Sequence, residues 1–220
     1  TGCEHRTRHP TGMESLNFLA HLHLADPEPG LMIGGIVADF ARNPEIALLP
    51  IDVQLGVRLH RLVDGFTDRH AVVHRSVSRV SARLGWFAGI VIDVYYDHIL
   101  GRHWSRYSTE PLRAFADRSY QVLEEAFPLT PPDAQWFIRR FIDNDYLVNY
   151  ATIEGITTTL ARLSERIAER MPKRAIWLPD SMPDLVAADA ELVADFHTFY
   201  PELMAFATES RRTLAVPPSV

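Results

Sequence analysis

Residues 51–67, IDVQLGVRLHRLVDGFT, set apolar side chains at Val53, Val57, Leu59, Leu62, Val63 and Phe66. That three- and four-residue recurrence is the period of an amphipathic α-helix with a broad buried stripe. Pro50 stands at the helix entry, where proline is tolerated. The same spacing recurs along the chain, whereas alternating runs closed by Asn-Gly or Asp-Gly turns are scarce. An all-α, single-domain helical bundle is therefore expected. Working outward, helices are expected over 16–24, stopped by the DPEPG segment, and over 31–42, 72–84 and 86–107. Others are expected over 110–126, 132–143, 152–170 and 183–208, the last broken at Pro201.

A chain of 220 residues, 47% hydrophobic, can bury one substantial core, and its length demands no second domain. Its apolar runs are all interrupted short of the roughly twenty residues that a membrane span needs, so no membrane partner is expected. Residues 1–12, TGCEHRTRHPTG, have neither the apolar core of a secretory signal nor the regularity of a transit peptide. They read as a leader outside the fold, with one domain over 13–220. The only cysteine, Cys3, cannot form an internal disulfide, which fits a reducing compartment, and the cytoplasm is expected. A net charge of −6 supplies no positive field for a phosphate backbone, so DNA and RNA are not expected as partners.

Within 58–70, RLHRLVDGFTDRH, the residues His60, Asp64 and Asp68 fall at i, i+4 and i+8 along one side of the helix. Imidazole nitrogen and carboxylate oxygen at that spacing can share one Mn, Fe, Zn or Mg ion. The plainer alternative is an exposed face paired with Arg58, Arg61 and Arg69. A second cluster is 91–104, VIDVYYDHILGRHW, with Asp93 and Asp97 at i, i+4 and His98 and His103 following. Carboxylates in so apolar a helix are costly unless paired or metal-bound. A buried Asp–Arg or Asp–His pair explains them equally simply.

NFLAHLHLA (17–25) adds His21 and His23, and GGIVADF (34–40) adds Asp39. In a helix the two histidines point about 200° apart, so one faces a metal while the other serves packing or a supporting contact. Four helical segments thus each bring His or Asp into apolar surroundings, and one shared polar cavity in the N-terminal half accounts for all of them. Without a P-loop, GxGxxG, GxSxG or cysteine pair, nucleotide motors, dinucleotide enzymes and serine hydrolases have no support.

In the same order, NFLAHLHLA, VADF after a glycine, LHRLVDGFTD, DVYYDHILGRHW and the late FHTFYPELM resemble the acyl carrier protein phosphodiesterase family. The resemblance runs from Leu16 to about Ala207. It implies an all-helical fold distantly similar to HD-type phosphohydrolases, and manganese-supported removal of 4′-phosphopantetheine from holo acyl carrier protein. Carried over by residue, it falls on His21, His23, Asp39, His60, Asp64, Asp68, Asp97, His98 and His103. His70 and His74, in TDRHAVVHR, depart from the family pattern.

The resulting expectation has His23, Asp39, His60, Asp64 and Asp97 on a divalent cation, most simply Mn²⁺, with Mg²⁺ or Fe²⁺ as alternatives. His21, His98, His103, Asp68 and Arg61 are then the catalytic candidates, and the choice between His21 and His23 as ligand stays open. Because carrier proteins are acidic, Arg58, Arg61, Arg69, Arg102 and Arg106 are expected to ring the cavity, unless they pair with Asp93, Asp117 or Glu110. Two rival readings are a non-catalytic helical carrier-binding module and an HD-like hydrolase of another phosphodiester. A haem or di-iron bundle lacks the paired Glu-x-x-His motifs it needs.

Overall fold

The computed structural model describes residues 17–215, and every regular element among them is helical. In chain order these are α1 (Phe18–Ala25), α2 (Pro29–Val37), α3 (Asn43–Ile46), α4 (Ile51–Thr67), α5 (Ala71–Leu84) and α6 (Ala88–Arg102). There follow α7 (Leu112–Ala126), α8 (Pro132–Asp143), α9 (Tyr146–Asn149), α10 (Ile153–Arg170), α11 (Met182–Ala187) and α12 (Asp189–Ala215). The expected 1–12 leader lies outside the described residues. No described helix is long and apolar enough to cross a membrane.

α6 is buried on every side, with Asp93, Asp97 and His98 inside along with its aliphatic and tyrosine side chains. That is why its sequence shows no polar face. α1, α5, α10 and α12 pack around it. Asp97 reaches the start of α1, where Asn17 offers no side-chain cap, and its carboxylate accepts Leu19 N–H at 2.8 Å and Ala20 N–H at 2.9 Å. The orphan amides of α1 are thereby capped by a residue from another helix, which fixes where α1 begins and how it is oriented.

α2 and α4 make the closest helix pair. A Cβ on Gly34 would stand 2.3 Å from the Val53 carbonyl oxygen, and one on Gly56 would stand 2.6 Å from the Leu31 carbonyl oxygen. Only hydrogen fits at either position, so the two backbones touch. On the far side, buried Asp195 of α12 accepts from Arg75 Nε at 3.0 Å, Ser76 Oγ at 2.9 Å and Arg79 Nε at 3.3 Å, which ties α12 to α5.

Several expected boundaries shift. The 31–42 helix begins earlier, with Pro29 in its first turn, and stops at Val37, leaving Asp39 in the turn that follows. The expected 86–107 helix is shorter: Gly85, at φ 52°, ends α5 and starts a 3-10 turn, and His103, at φ −109°, ends α6. Leu62, expected in the buried stripe of α4, is 41% exposed. The last helix divides near Ala188 into α11 and α12, and α12 then runs unbroken through Pro201. Burial of Phe196, Phe199, Tyr200 and Leu203 on both sides of the proline outweighs the one hydrogen bond it removes.

Candidate metal centre

Because the α2–α4 contact is so close, the turn after α2 comes against the middle of α4. His60 of α4 donates its Nδ1–H to the Gly35 carbonyl at 2.8 Å, and its Nε2 lies 3.1 Å from Asp64 Oδ2 and 3.4 Å from Asp39 Oδ1. α1 crosses the same spot and lays the His21 ring on the His60 ring, centroids 3.9 Å apart and 17° from parallel. Asp64 Oδ1 is 3.1 Å from His21 Nε2. One ligand atom from each of His21, His60 and Asp64 thus falls within 4.8 Å of the others, a group able to hold a metal ion. Both imidazoles are buried.

Two atoms here lack the partner that burial demands: His21 Nε2, close to Asp64 but not aligned for a hydrogen bond, and Asp39 Oδ2. A divalent cation held by His21, His60 and Asp64 would satisfy the first; Asp39, expected as a ligand, stands beside that group rather than in it. The imidazole geometry is prepared for the cation, since a histidine whose Nδ1–H is committed to a carbonyl presents Nε2 in a fixed direction. Electrostatics agree. Burial lowers the His60 pKa, but the Asp64 and Asp39 carboxylates outweigh it and hold this imidazole well above its usual value. Burial, reinforced by the neighbouring His60, lowers His21. Burial works against the charge on Asp64, yet the two histidines hold its carboxyl far below the ordinary range.

The remaining candidates lie elsewhere. His23, expected as a ligand, points the other way: its Nδ1 is 2.8 Å from the Tyr200 hydroxyl, and its ring meets Trp104 edge-on at 5.0 Å. The rotation between positions 21 and 23 explains this, because α1 can offer only one of them to the cluster. Asp97 spends both oxygens on the α1 cap. Asp68 falls at the C-cap of α4, past the last full turn, and its backbone carbonyl accepts from His74 Nε2 at 2.7 Å. His70 caps α5, accepting from Val72 N–H at 3.3 Å. His98 donates Nδ1–H to the Tyr150 carbonyl at 2.9 Å and keeps a buried Nε2 with no hydrogen-bond partner. His103 meets His197 edge-on at 5.0 Å.

Of the arginines expected around the cavity, Arg61 donates to Asn43 Oδ1 at 2.9 Å, and Arg102 donates to both oxygens of Asp189 at 2.8 and 3.0 Å. Arg58, Arg69 and Arg106 are exposed. The arginines that do line a cavity with Asp39 are Arg166 and Arg170 of α10, together with Trp136 of α8. Their i, i+4 spacing in the sequence marks them as neighbours on one helix face, but nothing local ties that face to a site more than a hundred residues upstream.

A family model for acyl carrier protein phosphodiesterase matches residues 16–203. The chain is 37% identical over 208 residues, 90% of its own length and all of the relative's, to an acyl carrier protein phosphodiesterase of Escherichia coli O157:H7 strain EC4115. It is 36% identical over the same share to that of the K12 strain DH10B. No solved structure matches it.

Proposed function

The chain belongs to the acyl carrier protein phosphodiesterase family, and from that premise we propose that it removes 4′-phosphopantetheine from holo acyl carrier protein by metal-dependent hydrolysis. The observation that carries this reading is the convergence of His21 Nε2, His60 Nε2 and the Asp64 carboxylate on one spot, with both imidazoles buried and Asp64 partly exposed. The cation is Mn²⁺, which a mixed nitrogen and oxygen donor set suits. The centre is HD-like in kind, with histidine and aspartate from packed helices serving phosphodiester chemistry, and its compartment is the reducing cytoplasm in which a lone thiol such as Cys3 persists.

A bound divalent cation supplies charge neutralisation at the phosphoryl oxygens and a water of lowered pKa. The protein's own part is to position donors and handle protons. His60 offers Nε2 because the Gly35 carbonyl occupies Nδ1–H. Asp64 sets one carboxylate oxygen 3.1 Å from the Nε2 of each imidazole. Asp39 Oδ2, buried and without a partner, is the acceptor for a proton of the attacking water. Water oxygen bonds to phosphorus, the bond from phosphorus to the carrier's serine oxygen breaks, and that oxygen takes up the proton that Asp39 accepted from the water.

Mass spectrometry of holo carrier protein after incubation tests the reading. Conversion to the apo mass with Mn²⁺, stopped by a chelator, is expected. An unchanged carrier mass in the presence of saturating Mn²⁺ contradicts it.

A further inference from the structure

A cavity of about 440 Å³ opens beside the cluster, and Asp39 is the residue common to both. The Asp39 side chain is only 10% exposed: Oδ1 faces His60, and Oδ2 is buried without a partner. Phe40, held by stacking on Phe137 at 4.5 Å, forms one wall. Trp136 stands at the rim, 60% exposed, with the Arg140 guanidinium 4.9 Å from its ring centre. Arg166 and Arg170 project from successive turns of α10. Burial, reinforced by the charge of Arg170, pulls Arg166 down to about 10.

These features describe a small-molecule site more than a protein-docking face. The volume lies within the ~300–1,000 Å³ of ligand pockets. Asp133 and Glu169 share the lining, and their charge offsets the arginines, so an acidic protein surface finds no net attraction there. An elongated chain of amides and methyl groups with a phosphate at one end fits better. Aromatic walls cover its carbon, mixed charges hydrogen-bond its amides, and the phosphate end lies at Asp39, which contacts His60 of the cluster.

We propose that this cavity receives the pantetheine arm of the substrate, with the phosphate at the Asp39 end and the arm running past Phe40, Arg166 and Trp136 toward Arg170. The inference rests on the phosphodiesterase reading and adds where the leaving arm binds.

Calorimetric titration of the Mn²⁺-loaded protein with 4′-phosphopantetheine and with pantetheine tests it, alongside turnover of holo carrier protein. Trp136→Ala, at an exposed position, should weaken 4′-phosphopantetheine binding roughly tenfold, as expected for losing an aromatic wall. The Michaelis constant for holo carrier should rise by a similar factor, with bound manganese unchanged. Arg170→Gln should act in the same direction, and pantetheine should bind more weakly than its phosphate but lose the same factor. Unchanged 4′-phosphopantetheine affinity in Trp136→Ala overturns the inference, as does a fall confined to apo carrier protein, which would make the cavity a protein contact. Trp136-dependent binding of 4′-phosphopantetheine without any turnover of holo carrier would support the arm site and defeat the phosphodiesterase reading instead.

Discussion

The rings of His21 and His60 lie stacked, 3.9 Å apart, with the Asp64 carboxylate 3.1 Å from the Nε2 of each. Two buried imidazoles in contact cannot both be charged without heavy repulsion, and their surroundings separate them. His60, flanked by Asp39 and Asp64, keeps a proton that His21 gives up. The metal-free centre is therefore a protonated histidine between carboxylates, a charge arrangement that a cation can replace.

Removing a member of the cluster should abolish metal binding and turnover while leaving the helices intact. In His60→Ala or Asp64→Asn, turnover should fall more than about a hundredfold, beyond the range usual for loss of a merely supporting contact. Metal analysis, far-ultraviolet circular dichroism and a turnover assay on one preparation check this. His23→Phe should keep its full complement of manganese, because His23 faces Tyr200 and Trp104. Loss of manganese in that variant would restore His23 as a ligand.

Metal affinity should depend steeply on pH through His60. Its pKa in the metal-free fold is raised, so its contribution to apo stability is complete below the unfolded value of 6.5 and disappears as pH rises through the folded value. The cation needs the same Nε2 lone pair. Affinity should therefore climb about tenfold per pH unit as long as pH stays below the folded His60 pKa, and level off above it. The manganese-induced rise in melting temperature should grow over the same window. A flat profile would mean that His60 is not the proton competing with the metal.

Asp97 should prove structural in its first effect. Asp97→Ala strands the amides of Leu19 and Ala20 and opens a cavity in the all-buried α6, at a cost of about 3 kcal/mol or more. Asp97→Asn keeps one acceptor and should cost less. Thermal unfolding should rank the two in that order, with metal affinity falling only as α1 loosens and carries His21 with it. Equal stability of wild type and Asp97→Ala would remove the capping role.

Much of this was legible in sequence, and the limits are physical. The apolar period of α4 and the unbroken burial of α6 fixed the helical class, and spacing along one helix paired His60 with Asp64 correctly. Spacing could not choose between His21 and His23, because that depends on how α1 is rotated, and the rotation is set by a cap from Asp97 on a distant helix. Asp68 followed the same i+4 rule, but the helix ends there. The Gly35 carbonyl that orients His60 carries no side-chain signal at all. Arg166, Arg170 and Trp136 reach Asp39 only through the tertiary packing of α8 and α10.

The α2–α4 contact should be as sensitive as the ligands themselves. A methyl at Gly34 or Gly56 overlaps facing backbone that cannot rotate away, so the helices must part. Gly34→Ala and Gly56→Ala should each lose about 1–3 kcal/mol, the usual range for overpacking. Both should also weaken manganese binding, because separation carries the Gly35 carbonyl and Asp39 away from His60. Gly85→Ala makes a useful contrast: it strains a left-handed residue with open space around it and should cost stability without touching metal affinity.

The central claim is that the His21–His60–Asp64 cluster both holds the cation and supports hydrolysis. Titrating the metal-free protein with Mn²⁺ while measuring bound metal and release of 4′-phosphopantetheine from holo carrier protein in the same samples tests it most directly. Turnover should rise in step with cation bound at a site that Asp64→Asn abolishes. Full turnover in metal-free protein, or in Asp64→Asn, would contradict the account.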